Sequence, residues 1–273
     1  MSDAVRKTLA LRQLIRTAGA AGVALLAALP AGAQEPLASP PSQPQFMSRY
    51  DFRMSAAALG SGDKRFSWDI HWAGDFDLVD YVFGRLTFLG DYQALLGSEF
   101  RPFDPYQSNY VLEAAGSLRR GSTEIVAVLN HVSRHLGDRP KRIAVADNSL
   151  GGRVLHRFST GTRRVDLRAD LRKVIERAYV DYDWIGSIDV RVSQPVARHA
   201  DAYGRAYGER YAVDPPVAGR ERQLGGRLEG GVRIRGTAGA IDLFAGIERV
   251  VDADPIDRMP RHWAFAGFRL LRQ

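Results

Sequence analysis

From residue 46 onward, hydrophobic and polar side chains alternate along most of the chain. In the stretch 186–193, Ile188, Val190 and Val192 fall on one face, and charged or hydroxyl-bearing residues fall on the other. Successive side chains of a strand point to opposite faces, whereas a helical pattern repeats every 3.6 residues. Comparable alternation runs through 65–72, 177–184 and 221–235. The chain from residue 46 is therefore predicted to be all-β.

The alternation divides the chain into twelve predicted strands. They span 46–58, 64–73, 78–89, 107–119, 123–134, 149–159, 163–172, 174–184, 185–195, 220–235, 239–251 and 261–271. Short turns are predicted on one side, at 74–75, 120–122, 160–162 and 236–238, and long loops on the other, at 90–106, 135–148, 196–219 and 252–260. An even strand count with short turns on one side and long loops on the other is typical of outer-membrane barrels.

A soluble β-sandwich alternates in the same way, so other features must separate it from a membrane barrel. The predicted strands run to about ten residues, the length that crosses a membrane at a tilt. Their polar faces carry ionised residues of both signs, which suits a polar lumen. Aromatic residues recur toward segment ends, as in an interfacial girdle, at Tyr50, Trp72, Tyr110, Trp184 and Trp263. These features predict an antiparallel transmembrane β-barrel of about twelve strands.

One stretch, 165–178, fits two patterns. It alternates as far as Leu171, but Leu167, Leu171 and Val174 also share one side of a helix, and the composition suits a helix. The strand interpretation keeps twelve strands. A helix here would leave about ten, which is also an even number.

The N-terminal segment has the layout of a secretory signal peptide over 1–33. Four cations precede an apolar stretch at 17–30, and small residues at 31–33 offer a cleavage site. A short membrane anchor is the alternative. The Pro-, Ser- and Gln-rich segment 34–45 is expected to be a flexible leader, and 46–273 to be the barrel. Export with a barrel predicts location in the outer membrane.

Composition excludes several classes of protein. The chain has no cysteine, which excludes a disulfide framework and Cys-ligated zinc. The net charge of +7 falls to +4 without the first 33 residues (34 cations against 30 anions), so a nucleic-acid partner is not expected. No apolar run of roughly 20 residues follows residue 33, which excludes a bundle of membrane helices.

The densest group of chemically useful side chains lies at 130–138. His131 and Ser133 are two residues apart on a predicted strand, so they project from the same face, close enough for an imidazole to activate a hydroxyl. A neighbouring side chain would have to align the two. Ile125 and Leu129 share the face of the pair, which favours an outward position at the extracellular rim. Val126, Val128 and Val132 make the opposite face apolar too, so a lumenal position is the alternative.

The pair resembles the His-x-Ser pair that lipid A 3-O-deacylases and outer-membrane phospholipases A carry on a barrel strand. The resemblance implies His131 as the base, Ser133 as the nucleophile and Asn148 or Asp147 as the residue that orients the histidine. It implies lipid A or phospholipid of the outer leaflet as the substrate. Those families continue Ser-Asn, whereas Arg134 follows here, and Asp147 and Asn148 lie slightly further along the chain than the family's orienting residue.

The longer string His-x-Ser-x-His-Leu-Gly-Asp at 131–138 resembles a signature of an uncharacterised exported barrel family. The simpler interpretation is that these residues form a polar rim, with Asp138 in the turn of the loop. A metal held by His131, His135 and Asp138 is not expected, because residues i and i+4 of a strand lie roughly 13 Å apart. No cofactor is expected.

Three functional classes therefore stay open: a structural or binding barrel of undetermined activity, a lipid acyl hydrolase, and a small-solute pore. The expected partners are outer-membrane lipid or lipopolysaccharide and the barrel-assembly machinery. Phe268 and Leu270 in the closing strand resemble the C-terminal signature of outer-membrane barrels. A monomer is expected.

Overall fold

The computed structural model describes residues 41–140, 143–214 and 219–272. Within them, twelve antiparallel strands form a closed barrel in which each strand pairs with its sequence neighbours and the first pairs with the last. The strands are β1 (Gln45–Leu59), β2 (Trp68–Asp80), β3 (Arg85–Gly97), β4 (Asp104–Arg120), β5 (Thr123–Leu136), β6 (Ala146–Thr160), β7 (Arg163–Ala178), β8 (Tyr182–Ala197), β9 (Ala200–Val213), β10 (Gln223–Arg235), β11 (Ala240–Val250) and β12 (Arg261–Leu271).

The all-β barrel predicted from the alternation is confirmed. A search of the described residues for helices long and apolar enough to span a membrane finds none. The predicted signal peptide over 1–33 lies outside the described residues, as does most of the predicted leader. β1 begins at Gln45, the last residue assigned to that leader.

The predicted number of strands is correct, but only because one error adds a strand and another omits one. The predicted strand 174–184 spans the end of β7, the connection 179–181 and the start of β8, and the predicted strand 185–195 is the main part of β8. The predicted loop 196–219 contains β9, because the turn at 198–199 is Arg-His and carries no glycine or proline signal. The stretch 165–178 belongs to β7 and is a strand.

Two predicted connections near the start of the barrel are also wrong. The turn at 74–75 lies within β2, where Gly74 continues the pairing with both neighbouring strands. The loop predicted over 90–106 is confined to 98–103, because β3 extends to Gly97 and β4 begins at Asp104. These strands are longer than their alternating segments suggest.

Connections of different length lie at the two ends of the barrel. The short-turn end carries the connections 81–84, 121–122, 161–162, 198–199 and 236–239. The long-loop end carries 60–67, 98–103, 137–145, 179–181, 214–222 and 251–260. The segregation expected from the sequence is present with one exception, the three-residue connection 179–181, and several of the connections differ from the predicted ones.

The outer wall is apolar and the lumen is polar. On β5, Ile125 and Leu129 are 63% and 50% exposed, whereas Val126 and Val128 between them are buried. Exposed large side chains of this kind recur around the barrel. An apolar wall that faces outward around a closed barrel is the arrangement that hydrocarbon favours.

Buried ion pairs cross the lumen. Arg153 donates to Glu113 at 2.6 Å and to Asp170 at 2.7 Å, and all three side chains are buried. Arg85 is held in the same way between Asp77 and Glu124. Because a buried charge is tolerated only when it is paired, these networks link neighbouring strands through their lumenal faces.

The connection 251–260, here called the mouth loop, folds into the long-loop end of the barrel. The carboxylate of Asp252 accepts hydrogen bonds from the Tyr182 hydroxyl at 2.6 Å and from the Arg220 guanidinium at 2.6 and 2.7 Å. Arg134 donates to the backbone carbonyls of Asp252 and Ala253 at 2.6 and 3.2 Å. The loop is thus attached to the wall and to a neighbouring loop.

An apolar cluster lies beneath the mouth loop. Trp263 is 6% exposed and packs against Phe66, with ring centroids 5.4 Å apart, and Ala253 belongs to the same cluster. Trp263 was expected in an outward girdle, and that expectation is wrong. Its parity in β12 turns it into the lumen, whereas Trp72 and Trp184 face outward.

Candidate active site

The structure places His131 and Ser133 on the outer face of the barrel, near the long-loop end of β5. They share this face with Ile125 and Leu129, as the alternation predicts. Asn130, which has the opposite parity, is buried in the lumen. His131 and Ser133 therefore lie on the side of the wall that contacts hydrocarbon and lipid headgroups.

The neighbouring strand β6 brings Asn148 directly opposite His131. The Nδ1 atom of His131 lies 2.7 Å from Oδ1 of Asn148. The other candidate for this role, Asp147, has the opposite parity and is buried in the lumen. Of the two alternatives drawn from the sequence, only Asn148 contacts the histidine.

A third residue completes the chain of hydrogen bonds. Asn148 Nδ2 donates to Oε2 of Glu176 on β7 at 2.7 Å. Because a carboxylate can only accept, this contact assigns the nitrogen of the Asn148 amide to Glu176 and its oxygen to His131. His131 must then carry its proton on Nδ1, which leaves the Nε2 lone pair available as a base.

A β-bulge places Glu176 in this position. Asn148 pairs with Glu176 and Ser149 pairs with Val174, so Ile175 is an extra residue in β7. A bulge reverses the parity of the residues that follow it and redirects their side chains. Without the extra residue, position 176 would share the lumenal parity of Val174 and would not meet Asn148.

The Ser133 side chain lies opposite Tyr110 of β4 in the strand pairing. Within the described part of the chain, no hydrogen bond joins the Ser133 hydroxyl to His131. Catalytic hydrogen bonds are often long without substrate and tighten when it binds. Residues two apart on a strand have parallel side chains, so rotation about the side-chain bonds brings Oγ and the ring together.

The other residues of the 131–138 string have separate roles. Arg134 turns into the lumen and holds the mouth loop, which accounts for the residue after Ser133 differing from the Ser-Asn of the resembled families. The His135 ring lies edge-on to Tyr110, with centroids 5.5 Å apart. Asp138 pairs with Arg101 of the loop 98–103 at 2.6 Å. These contacts place His135 and Asp138 on different structural elements around the rim.

Sequence reasoning missed Glu176. It lies beyond Leu171, where the alternation in the sequence ends. Lys173 and Val174 interrupt the alternation while still in regular register, and the extra residue Ile175 then changes the parity of Glu176. The change from one parity to another within an otherwise continuous strand is the signal that would have indicated a bulge.

Comparisons with known proteins show the fold. No family model matches the chain, and no curated protein matches its sequence. The outer membrane phospholipase A from Escherichia coli superposes with a TM-score of 0.51 at 10% identity, covering 82% of this chain and 92% of that one. The outer membrane phospholipase (OMPLA) of Salmonella typhi, solved as a dimer with bound calcium, gives a TM-score of 0.50 at 11% identity, covering 82% and 90%.

LpxR from Salmonella typhimurium superposes with a TM-score of 0.46 at 10% identity, covering 81% of this chain and 99% of that one. The chain has the closed antiparallel architecture of the two phospholipase barrels, with a polar lumen and an apolar outer wall. It is an outer-membrane β-barrel, as the sequence predicts.

Proposed function

We propose that this barrel is a lipid acyl hydrolase of the outer leaflet, with Ser133 as nucleophile, His131 as general base and Asn148 as the residue that orients the imidazole. The observation that carries the proposal is the 2.7 Å contact between His131 Nδ1 and Asn148 Oδ1, two residues from a serine on the same outward face. The arrangement repeats the logic of a nucleophile, a base and an orienting group.

The acylation step follows from the tautomer of His131. Ser133 Oγ attacks the carbonyl carbon of a lipid ester while Nε2 of His131 accepts the hydroxyl proton. The charged imidazolium is stabilised by Asn148 Oδ1 at Nδ1. When the tetrahedral intermediate collapses, the ester C–O bond breaks, His131 returns the proton to the departing alcohol, and the acyl group stays on Ser133.

Deacylation reverses these roles. A water molecule gives its proton to Nε2 of His131 and its oxygen to the acyl carbon, and the proton then returns to Ser133 Oγ as the fatty acid leaves. The position of the pair near the long-loop end suits this step, because water and the ester linkages of lipids meet at the membrane interface. Lipid A and phospholipid are the candidate substrates.

The lumen does not favour the pore alternative. The mouth loop is held at the long-loop end through Asp252 and Asp254, and buried ion pairs such as those of Arg153 occupy the lumenal face of the wall. A polar rim explains polar side chains at this level of the wall, but it does not require the ordered chain of hydrogen bonds from His131 through Asn148 to Glu176.

The test is hydrolysis by purified, detergent-folded protein of phosphatidylethanolamine and lipid A, with released fatty acid measured by mass spectrometry. Wild type should release fatty acid, and Ser133→Ala, His131→Ala and Asn148→Ala should lower the rate by about a hundredfold or more. The matched control is Ser108→Ala, which removes another outward hydroxyl from the same rim. No fatty acid release by wild type from either lipid, or equal rates for Ser133→Ala and wild type, would contradict the proposal.

A further inference from the structure

Rows of paired residues run around the barrel at an angle to the membrane plane. From β1 toward β8, paired residues climb toward the long-loop end: Phe46, at the start of β1, lies in one continuous row of pairs with Gly186, close to the long-loop end of β8. A row followed from β5 back toward β2 therefore descends into the hydrocarbon region. The same row followed toward β7 rises toward the aqueous side.

The row that descends from Ser133 is aromatic. Ser133 pairs with Tyr110, Tyr110 with Tyr92, and Tyr92 with Trp72. The ring centroids of Tyr110 and Tyr92 are 5.1 Å apart, and those of Tyr92 and Trp72 are 5.6 Å apart. These three side chains form a continuous ridge on the outer wall, here called the aromatic ridge.

The next row, which descends from His131, carries smaller side chains than the aromatic ridge. His131 pairs with Leu112, Leu112 with Gly90, and Gly90 with Gly74. A Cβ atom added at Gly90 would meet only Leu112 and Phe88, at 3.9 and 4.0 Å, so space lies above this glycine. The row forms a trough beside the aromatic ridge.

The trough has a second wall and an end. The row on its other side carries Phe88 and Phe76, which pair with each other across β3 and β2. At Gly74, an added Cβ would come within 2.9 Å of the Phe76 ring, which therefore already covers this glycine. The open part of the trough runs from His131 over Leu112 and Gly90 and ends at Phe76.

The opposite side of the catalytic pair is polar. Asn148 and Glu176 continue the row of His131 across β6 and β7, in the direction that rises toward water. A lipid ester bound at Ser133 thus meets an apolar trough on the descending side and hydrogen-bonding groups on the ascending side. In a membrane, too, the acyl chain of such an ester lies deeper than its headgroup, so the two sides of the site match the two parts of the lipid.

We infer that the trough is the acyl-chain subsite of the proposed hydrolase, and that the Phe76 ring limits the length of chain it accepts. This inference rests on the proposed function. A chain bound over Gly90 would lie between Tyr92 of the aromatic ridge and Phe88. Its binding energy would come from van der Waals contact with side chains that are already in place, because an acyl chain of the outer leaflet has already left water. The substrate class is a long-chain carboxylic ester whose acyl group lies along the barrel wall.

The test compares butyryl, lauroyl and palmitoyl esters of p-nitrophenol with wild type, Gly90→Leu and Phe76→Ala. Gly90→Leu fills the trough and should lower kcat/KM for the palmitoyl ester by about tenfold while leaving the butyryl ester nearly unchanged. Phe76→Ala should raise the palmitoyl to lauroyl ratio of kcat/KM. Gly230→Leu is the matched control, since it adds the same side chain to a lipid-facing glycine on β10, away from the trough.

Folding of each variant is verified by heat-modifiability on gels, and Phe76→Ala serves as the independent variant if Gly90→Leu does not fold. Chain-length profiles of Gly90→Leu and Phe76→Ala that match wild type overturn the subsite while leaving the hydrolase intact. The same holds if Gly230→Leu shifts the profile as much as Gly90→Leu does. If wild type cleaves neither these esters nor the lipids, the proposed function fails and the subsite with it.

Discussion

The amide of Asn148 lies between two partners on its neighbouring strands, with its oxygen 2.7 Å from His131 Nδ1 and its nitrogen 2.7 Å from Glu176 Oε2. Both contacts occur on the lipid-facing wall near the long-loop end. The imidazole therefore has a defined tautomer, and its free nitrogen is available to Ser133.

Glu176 is predicted to be a positioning residue. In Glu176→Gln the side-chain oxygen still accepts from Asn148 Nδ2, whereas Glu176→Ala leaves the amide free to rotate and offer its nitrogen to His131. We expect kcat to fall by about tenfold in Glu176→Ala, with KM little changed, and to stay near wild type in Glu176→Gln. Kinetics on a soluble ester separate the two parameters. Equal losses in both variants would indicate that the charge, and not the hydrogen bond, is what matters.

The mouth loop is predicted to block conductance. Asp252→Ala removes the acceptor of three hydrogen bonds from Tyr182 and Arg220, and should loosen the loop at the long-loop end. Wild type is expected to give background current in planar bilayers and Asp252→Ala to give intermittent openings. Met259→Ala, which shortens an exposed side chain of the same loop, is the control. Steady ion conductance by wild type would show that the lumen is open and would revive the pore interpretation.

Acid is predicted to release the same loop only at low pH. Asp181 accepts hydrogen bonds from Arg258 of the mouth loop and from Arg220, which also holds Asp252. Burial by itself would raise the pKa of Asp181, but the hydrogen bonds and charge of Arg220, together with the charge of Arg258, outweigh it and hold the pKa below its usual 3.8. A carboxyl with a lowered pKa stabilises the folded arrangement above its unfolded pKa and loses that contribution as pH falls through its folded value. Bilayer openings should therefore appear only below about pH 3.8. Openings that begin near pH 6 would implicate other groups.

The lumenal network around Arg153 is predicted to contribute strongly to stability. Arg153→Met leaves the buried carboxylates of Glu113 and Asp170 without their shared partner. Loss of one member of a buried ion pair typically costs about 3–5 kcal/mol in the free energy of unfolding. Urea unfolding in detergent micelles, followed by tryptophan fluorescence, measures this difference. Arg101→Met, which breaks the exposed pair with Asp138, should change stability by less than about 1 kcal/mol.

Much of the fold follows from alternation, because each strand of the barrel wall has one face toward hydrocarbon and the other toward the polar lumen. The strand boundaries were harder to predict. β9 was missed because the 198–199 turn has no glycine or proline, and the length of β2 was underestimated because Gly74 resembles a turn residue. In both cases closure of the barrel, which pairs every strand on two sides, overrides the local signal.

For the candidate site, the sequence by itself determined that His131 and Ser133 share a face, since this depends only on a period of two. Val126, Val128 and Val132 make the other face of this strand apolar as well, so the closed barrel was needed to decide that the pair points outward. Only the tertiary structure decided that Asn148 and not Asp147 meets His131, that Glu176 joins them, and that Tyr110, Gly90 and Phe76 lie beside the pair. Strand register and a single bulged residue decide these contacts, because a shift of one residue exchanges the two faces of a strand.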